Sequence, residues 1–402
     1  MSMPRAVRHI NEMRVLDVVF RLGSASRASI ARELDLTRST AGNIVANLAT
    51  EGLIIEDSAG DDKSAGTGRP GTLVRLNPTH ALFLGAEIAV GRISVVALDF
   101  SGNIVSERHF PLQALPGDVT AALDQLVGNV REVCRPLEST HPLKGLCVTL
   151  PGVIDNAGRV LRAPFLGWHD VPIIDHLRDR LPEMPTIVAE NDANAFAIAD
   201  GYGSDAHAPD TEIHVFLDAG VGGAIMASGR LLRGRDGYAG EFGHMILGEK
   251  GFAKVATLAG SFESFIGRDA IMARHRHYGG DARTIEDFIE EASRGTAAAA
   301  AATADWSFYL GRGLAIISSI FNPSRIVLGG PVAPLFQLCR DDVIARIRSN
   351  LFGDQPIPEI VLSPLGLEGP ALGGAMQMHR TMFAVDEALV FKSNSPPRTH
   401  RP

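Results

Sequence analysis

The sequence predicts an α/β protein in two unequal parts, a small winged helix-turn-helix at the N-terminus followed by a larger two-lobed body. Three observations carry this expectation. Two short apolar sets at helical spacing, Ile30-Ala31-Leu34 and Ala41-Ile44-Val45-Leu48, each follow a hydroxyl residue able to cap a helix, Ser26 and Thr37. From residue 81 onward short apolar strands alternate with longer helical segments, the rhythm of an α/β body. The chain has 402 residues, more than one ordinary domain, so two or three domains are expected.

The head comes first. Residues 7–22 carry Ile10, Met13, Leu16 and Phe20 at helical spacing and stop at Gly23, so this helix can cover the next two. Asp35 and Leu36 form the turn between those two helices. With Ala41, Ile44, Val45 and Leu48 inward, the last helix turns Arg38, Ser39, Thr40 and Asn43 outward, short or forked donors suited to base edges in a major groove. Gly42 costs on the order of 1 kcal/mol relative to alanine in mid-helix, which points to close approach of another helix or of DNA. After the stop at Gly52, residues 53–56 read as a strand and 72–76 as its return, with a polar, Gly-rich wing between them. Arg69, between Gly68 and Pro70, is an extended guanidinium fit for a minor groove or a phosphate, and Arg27 is a further phosphate partner. Any three-helix bundle shows similar periodicity; the added wing favours the DNA-reading interpretation.

In the body, residues 81–89, 92–99 and a short strand at Ile104 read as a three-stranded meander, followed by a helix over 119–135 and a strand over 146–150. A second cycle begins with strands at 212–217 and 224–227. A long helix over 296–320, strands at 325–328 and 359–362 and a last helix from about residue 369 complete it. Two such units facing each other make a clefted body with a site between the lobes.

Composition narrows the function. The net charge of −8 suits no protein that coats nucleic acid, yet residues 1–50 hold seven Arg against four acidic residues. That small excess fits a DNA-facing surface and an ordinary solvated one alike. Cys134, Cys147 and Cys339 are odd in number and widely spaced, against a disulfide framework or a four-cysteine zinc site. No signal-like or membrane-spanning apolar run occurs, so a cytoplasmic protein without a membrane partner is expected. The Pro-, Ser- and basic-rich residues 392–402 read as a disordered tail.

Seven segments add a sharper signal. PGVIDNAGRV at 151–160, LGW at 166–168, AENDANA at 189–195, GVGGAI at 220–225, AGEFGHM at 239–245, FNPSRIVLGG at 321–330 and GPALGGA at 369–375 follow the head in this order. Together they resemble the ROK family of repressors and sugar kinases over nearly the whole chain, and the head places the resemblance with the family's regulators. It implies a two-lobed actin-like, sugar-kinase-like (ribonuclease H-like) domain over 79–391 behind a DNA-binding domain over 1–78, with a sugar site in the cleft. Asp192 matches the family's catalytic base, which takes a proton from the attacking sugar hydroxyl. Asn191 offers a donor and an acceptor, Glu190 supports the turn, and Gly152 joins the ligand-lining set. Glu241 and His244 match sugar-binding positions, and so does Glu263. Read from the residues alone, Asp192 equally fits a cap for the helix starting at Ala193, and His244 a packed histidine.

The departures matter as much. Where family kinases carry Asp-x-Gly-Gly-Thr in the first hairpin, this chain has Glu87-Ile88-Ala89-Val90-Gly91; where a second loop reads Gly-Thr-Gly, it has Asp218-Ala219-Gly220, a carboxylate expected to repel phosphate. The family's zinc segment aligns with residues 254–261, which hold no cysteine, and the asparagine before LGW is Phe165. Neither ATP nor zinc is therefore expected, and Asp192 would be a vestigial base. The expectation is a homodimeric or homotetrameric transcriptional regulator, a repressor, that binds a double-stranded DNA operator and senses a sugar or sugar derivative without phosphorylating it. The alternative is an active ATP-dependent sugar kinase with an appended DNA-binding domain; a third reading is a DNA-bound scaffold whose cleft recruits another protein.

Overall fold

The computed structural model describes residues 3–57, 72–202, 210–252 and 258–383. Arg69 and the tail lie outside the described residues, and so does half of the zinc-segment equivalent, residues 254–257.

The head is α1 (Met3–Leu22), β1 (Ala25–Ser26), α2 (Arg27–Glu33), α3 (Arg38–Thr50), β2 (Ile54–Asp57) and β3 (Leu73–Leu76). Ser26 and Thr37 cap α2 and α3 by accepting from the backbone N–H of Ser29 and Thr40. Asp35 takes the left-handed conformation that makes the turn, and Gly52 does the same behind α3. The inward sets of α2 and α3 are buried as their spacing requires. Two details differ. β1 pairs with β3 to make the wing three-stranded, and two residues are too few to show an alternation. In α1 the buried positions are Val15, Leu16, Val18 and Val19, while Ile10, Met13 and Phe20 are half-buried. The cause is that α1 serves two surfaces: Leu16 joins the head's core, and Phe20 packs on rings of the body. At Gly42 an added Cβ would meet nothing within 4 Å, so no helix packs there.

The body repeats one arrangement twice. In the first lobe β4 (Leu82–Ala89), β5 (Arg92–Asp99) and β6 (Ile104–Pro111) form an antiparallel meander. After α4 (Val119–Cys134), β7 (Leu143–Leu150) joins β4 in parallel. The flanking pieces β8 (Val153–Ile154), β9 (Val160–Ala163) and β10 (Trp168–Val171) make a small separate sheet, then α5 (Ile173–Arg180) leads to β11 (Ile187–Asn191) and α6 (Asp192–Asp200). The second lobe has β12 (Thr211–Leu217), β13 (Val221–Ala227) and β14 (Arg230–Leu231), then α7 (Glu263–Ile266), α8 (Arg268–His277), α9 (Ile285–Arg294) and α10 (Ala297–Phe321). β15 (Arg325–Gly329), α11 (Leu335–Leu338), α12 (Arg340–Asn350), β16 (Glu359–Leu362) and α13 (Gly369–Arg380) finish it. The sheet orders β6-β5-β4-β7-β11 and β14-β13-β12-β15-β16 are the same order, with α6 and α13 in equivalent places. The strand expected at Ile104 runs on to Pro111; as an edge strand it is exposed along most of its length and shows no buried alternation.

α6 and α13 cross between the lobes, and their contact admits no side chain. A Cβ on Gly373 would stand 1.7 Å from the Ala195 carbonyl oxygen, and one on Gly85 of β4 equally close to that of Ala371. α13 of the second unit thus lies on the first lobe's sheet. In return Gly222 of β13 packs against Ala193 of α6, where a Cβ would approach to 2.7 Å.

Candidate functional site

Between the lobes lies a cavity of about 380 Å³. Lobe one lines it with Gly152, Phe165, Asn191 and Asp192; lobe two contributes the 218–223 hairpin, Glu241, His244 and Glu263. Every cleft residue singled out from the sequence therefore faces one space.

The N-terminus of α6 organises the lobe-one side. Asn191, not Asp192, is the N-cap: its Oδ1 accepts from the Asn194 N–H at 3.0 Å. Its Nδ2 donates to the Gly152 carbonyl and to Asp192 Oδ1, both at 3.1 Å, so the amide expected to meet a sugar is largely committed to holding the turn. Glu190 supports this from behind, accepting from the Asn191 N–H at 2.9 Å and from Asn194 Nδ2 at 3.0 Å, while Arg233 pairs with its other oxygen. Relieved of the capping role, Asp192 presents its carboxyl to the cleft as the first residue of the helix, with Oδ1 accepting from the Ala193 N–H at 2.8 Å. Burial pushes that carboxyl up to about 7, helped by the charges of Glu87, Asp218 and Glu241 and opposed by the Ala193 N–H.

Across the cleft His244 stands between two carboxylates, with Nδ1 3.4 Å from Glu241 and Nε2 3.9 Å from Glu263. Burial raises the Glu241 carboxyl, His244 lowers it and Glu263 raises it further. Such a set grips vicinal hydroxyls by accepting their protons. Phe165 closes one side: a Cβ on Gly220 would come within 2.6 Å of its ring and 3.0 Å of Glu263, which explains the glycine there.

The two hairpins next to the cleft hold an ionic chain that the sequence did not reveal. Glu87 pairs with Arg92 at 3.0 Å, Arg92 approaches Asp218 at 4.0 Å, and Asp218 pairs with Arg268 at 2.9 Å. Asp218 thus has guanidinium neighbours that its sequence context did not reveal, Arg268 paired with it and Arg92 4.0 Å away. Tyr238, half exposed at the cleft, was also missed; its only signal was its place between Gly237 and Gly240, both of positive φ. Among the described residues no three His, Cys, Asp or Glu side chains converge to hold a metal ion.

On the head, Arg38, Ser39 and Asn43 are exposed along one side of α3, and Thr40 is half-buried. The Thr37 hydroxyl bonds those of Ser39 at 3.0 Å and Thr40 at 2.8 Å, which fixes both rotamers at the helix start. Arg27 lies on the surface with its guanidinium bonded to Glu56 of β2 at 2.5 Å, which ties the start of α2 to the wing.

Residues 83–381 match the ROK family over most of this body. The chain belongs to the ROK family. Within it, the chain is 26% identical to the xylose repressor of Bacillus spizizenii, over 91% of this chain and 94% of that one. A ROK family transcriptional regulator, described as a homologue of the Escherichia coli MLC protein, has the same fold with a TM-score of 0.75 at 22% identity, covering 94% of this chain and 97% of its own. A ROK family glucokinase from Streptomyces griseus, solved with glucose and AMPPNP, is 25% identical with a TM-score of 0.64, covering 73% of this chain and 98% of its own. The kinase likeness leaves out about a quarter of this ROK chain, whereas the two regulators run nearly end to end with it. No helix among the described residues is long and apolar enough to cross a membrane.

Proposed function

We propose that this ROK protein is a DNA-binding transcriptional repressor whose cleft senses a sugar or sugar derivative and does not phosphorylate it. One observation carries the reading: a winged head shares a continuous apolar core with a body whose cleft gathers Asp192, Glu241, His244 and Glu263, while the neighbouring hairpins are occupied by the Glu87-Arg92-Asp218-Arg268 chain. The carboxylates accept from ligand hydroxyls, and α3 lays Arg38, Ser39, Thr40 and Asn43 against base edges. Two heads in a symmetric homodimer, or in a tetramer built of such pairs, read related half-sites of a double-stranded operator. A sugar regulates only by binding one lobe arrangement more tightly than the other. D-xylose and D-glucose, the sugars associated with relatives of this chain, head the panel for the test: operator affinity with and without each. An affinity that no sugar alters refutes the sensing reading, and failure to bind any genomic fragment at low salt refutes the repressor.

A second reading has an observation in its favour. Asp192, with its carboxyl near 7, holds the value a general base needs, as an ATP-dependent sugar kinase would require. Release of ADP across the same panel, abolished by Asp192→Asn, would establish that reading instead.

A further inference from the structure

The far end of α6 sits where the head meets the body, and it is held by the wrong lobe. α6 follows the last strand of lobe one, yet Asp200 at its end bonds lobe two: His214 of β12 at 3.3 Å, Arg325 of β15 at 3.3 Å and Ser363, just after β16, at 2.6 Å. α13 shows the reverse. It follows the last strand of lobe two, and His379 near its end is fully buried against lobe one, where its Nε2–H donates to the Phe100 carbonyl at 3.0 Å and its ring meets Phe83 edge-on at 5.1 Å. That bond leaves Nδ1 as an acceptor, and the Tyr202 hydroxyl, two residues beyond the end of α6, donates to it. A single hydrogen bond thus joins His379, carried by lobe two and buried against lobe one, to Tyr202, carried by lobe one beside an anchor on lobe two.

Phe20 of α1 rests on both. Its ring lies 5.4 Å from that of Tyr202 and 5.1 Å from that of His379, stacks on Phe383 at 5.5 Å, and abuts Gly102, where a Cβ would come within 2.8 Å of it. From these positions, and resting on the repressor reading above, we infer that Tyr202, His379 and Phe20 are the positioning residues through which the cleft commands the DNA-reading head. α6 is a lever. Its pivot is the Gly373–Ala195 crossing, which has no slack. Asp192 lies roughly 4.5 Å along the axis on the cleft side of the pivot and Asp200 roughly 7.5 Å on the other, at 1.5 Å per residue, so a shift at the ligand end is magnified about 1.7-fold at Asp200, two residues before Tyr202. Ligand-driven movement of one lobe against the other strains the Tyr202–His379 bond, reshapes the socket of Phe20 and tilts α1, on which α3 packs. Interfaces packed this tightly switch between discrete arrangements instead of deforming smoothly.

Tyr202→Phe removes one hydroxyl and keeps the ring, so the fold is retained. In the full-length protein the expected result is operator affinity and sugar affinity within about twofold of wild type, while the sugar-induced change in operator affinity drops from about tenfold or more to under about threefold. D-xylose and D-glucose are the probes. Amide exchange across residues 12–22 rises in the variant, and exchange at the start of α6 does not. A wild type that responds to a sugar and a Tyr202→Phe protein that responds equally overturn the relay alone. A wild type whose operator affinity none of these sugars changes overturns the sensing reading and the relay with it. Phe20→Leu, which shrinks the plug and leaves the hydrogen bond, reproduces the loss of coupling; an unaltered response there also overturns the relay.

Discussion

Sugar affinity should depend on pH through Asp192. Its carboxyl is buried beside Glu87, Asp218 and Glu241 and is pushed up to about 7. The ionised form is the one that accepts from a sugar hydroxyl, so binding at lower pH must first expel a proton. For one such group the apparent Kd grows by the factor one plus ten to the power of pKa minus pH, about 1.1 at pH 8 and about 11 at pH 6. The loss is about tenfold, or about 1.4 kcal/mol, over those two units. Asparagine keeps the shape and the bond from the Ala193 N–H but cannot titrate. Calorimetric titration with the responsive sugar should therefore show the tenfold decline in wild type and a flat, weaker affinity in Asp192→Asn. The same raised value has a stability sign. A carboxyl that binds its proton more tightly when folded contributes stability below about pH 4 that is lost as pH rises through 7, so the ligand-free Asp192→Asn protein should melt above wild type at pH 8, with the gap closing toward pH 5. A wild-type affinity flat from pH 6 to 8, or a slope that survives in Asp192→Asn, refutes the assignment.

Glycine supplies a paired prediction. Gly373→Ala drives a Cβ to 1.7 Å from a backbone oxygen and should cost on the order of 3 kcal/mol or more, whereas Gly42→Ala meets open space in mid-helix and should gain up to about 1 kcal/mol; chemical denaturation measures both, and equal effects would contradict the packing. Arg38→Ala should cost about 1–3 kcal/mol in operator binding by gel shift, while Arg27→Ala, which loses only an exposed ion pair with Glu56, should change it by under about 1 kcal/mol; a reversed order would move the DNA contact from α3 to the start of α2. Phe165→Asn replaces the ring over Gly220 with hydrogen-bonding groups, so the ranking of sugars in a thermal-shift panel should change, and an unchanged ranking would place Phe165 outside the ligand's reach.

Local chemistry was legible, and paired chemistry was not. The caps Ser26 and Thr37, the stop at Gly52 and the inward sets of α2 and α3 are decided within a few residues, so spacing alone placed them. The ionic chain from Glu87 to Arg268 and the aromatic socket of Phe20 join residues remote in sequence, whose meeting depends on how two lobes and a head assemble. α1 shows the cost of serving two partners: a helix whose apolar residues face both a core and a neighbour has no single stripe to read. Asn191 and Asp192 show a finer limit. Both residue types cap helices, and only the bond from the Asn194 N–H decides that Asn191 does so, which frees the aspartate for the cleft.

The crossed anchoring of α6 and α13 bears on why a kinase-like body can serve as a sensor. Each helix is carried by one lobe and fastened at its outer end to the other, so the lobes cannot shift without shearing the two outer ends against each other. Here the head's apolar core is continuous with α13, and Phe20 is seated on both ends at once. A ligand that favours one lobe arrangement by a few kcal/mol then works on the DNA-reading surface through packing alone, with no need for phosphoryl transfer. The raised Asp192 carboxyl fits this economy. On the sensing reading it destabilises the ligand-free protein at neutral pH, and hydroxyls that hydrogen-bond the ionised carboxylate offset that cost.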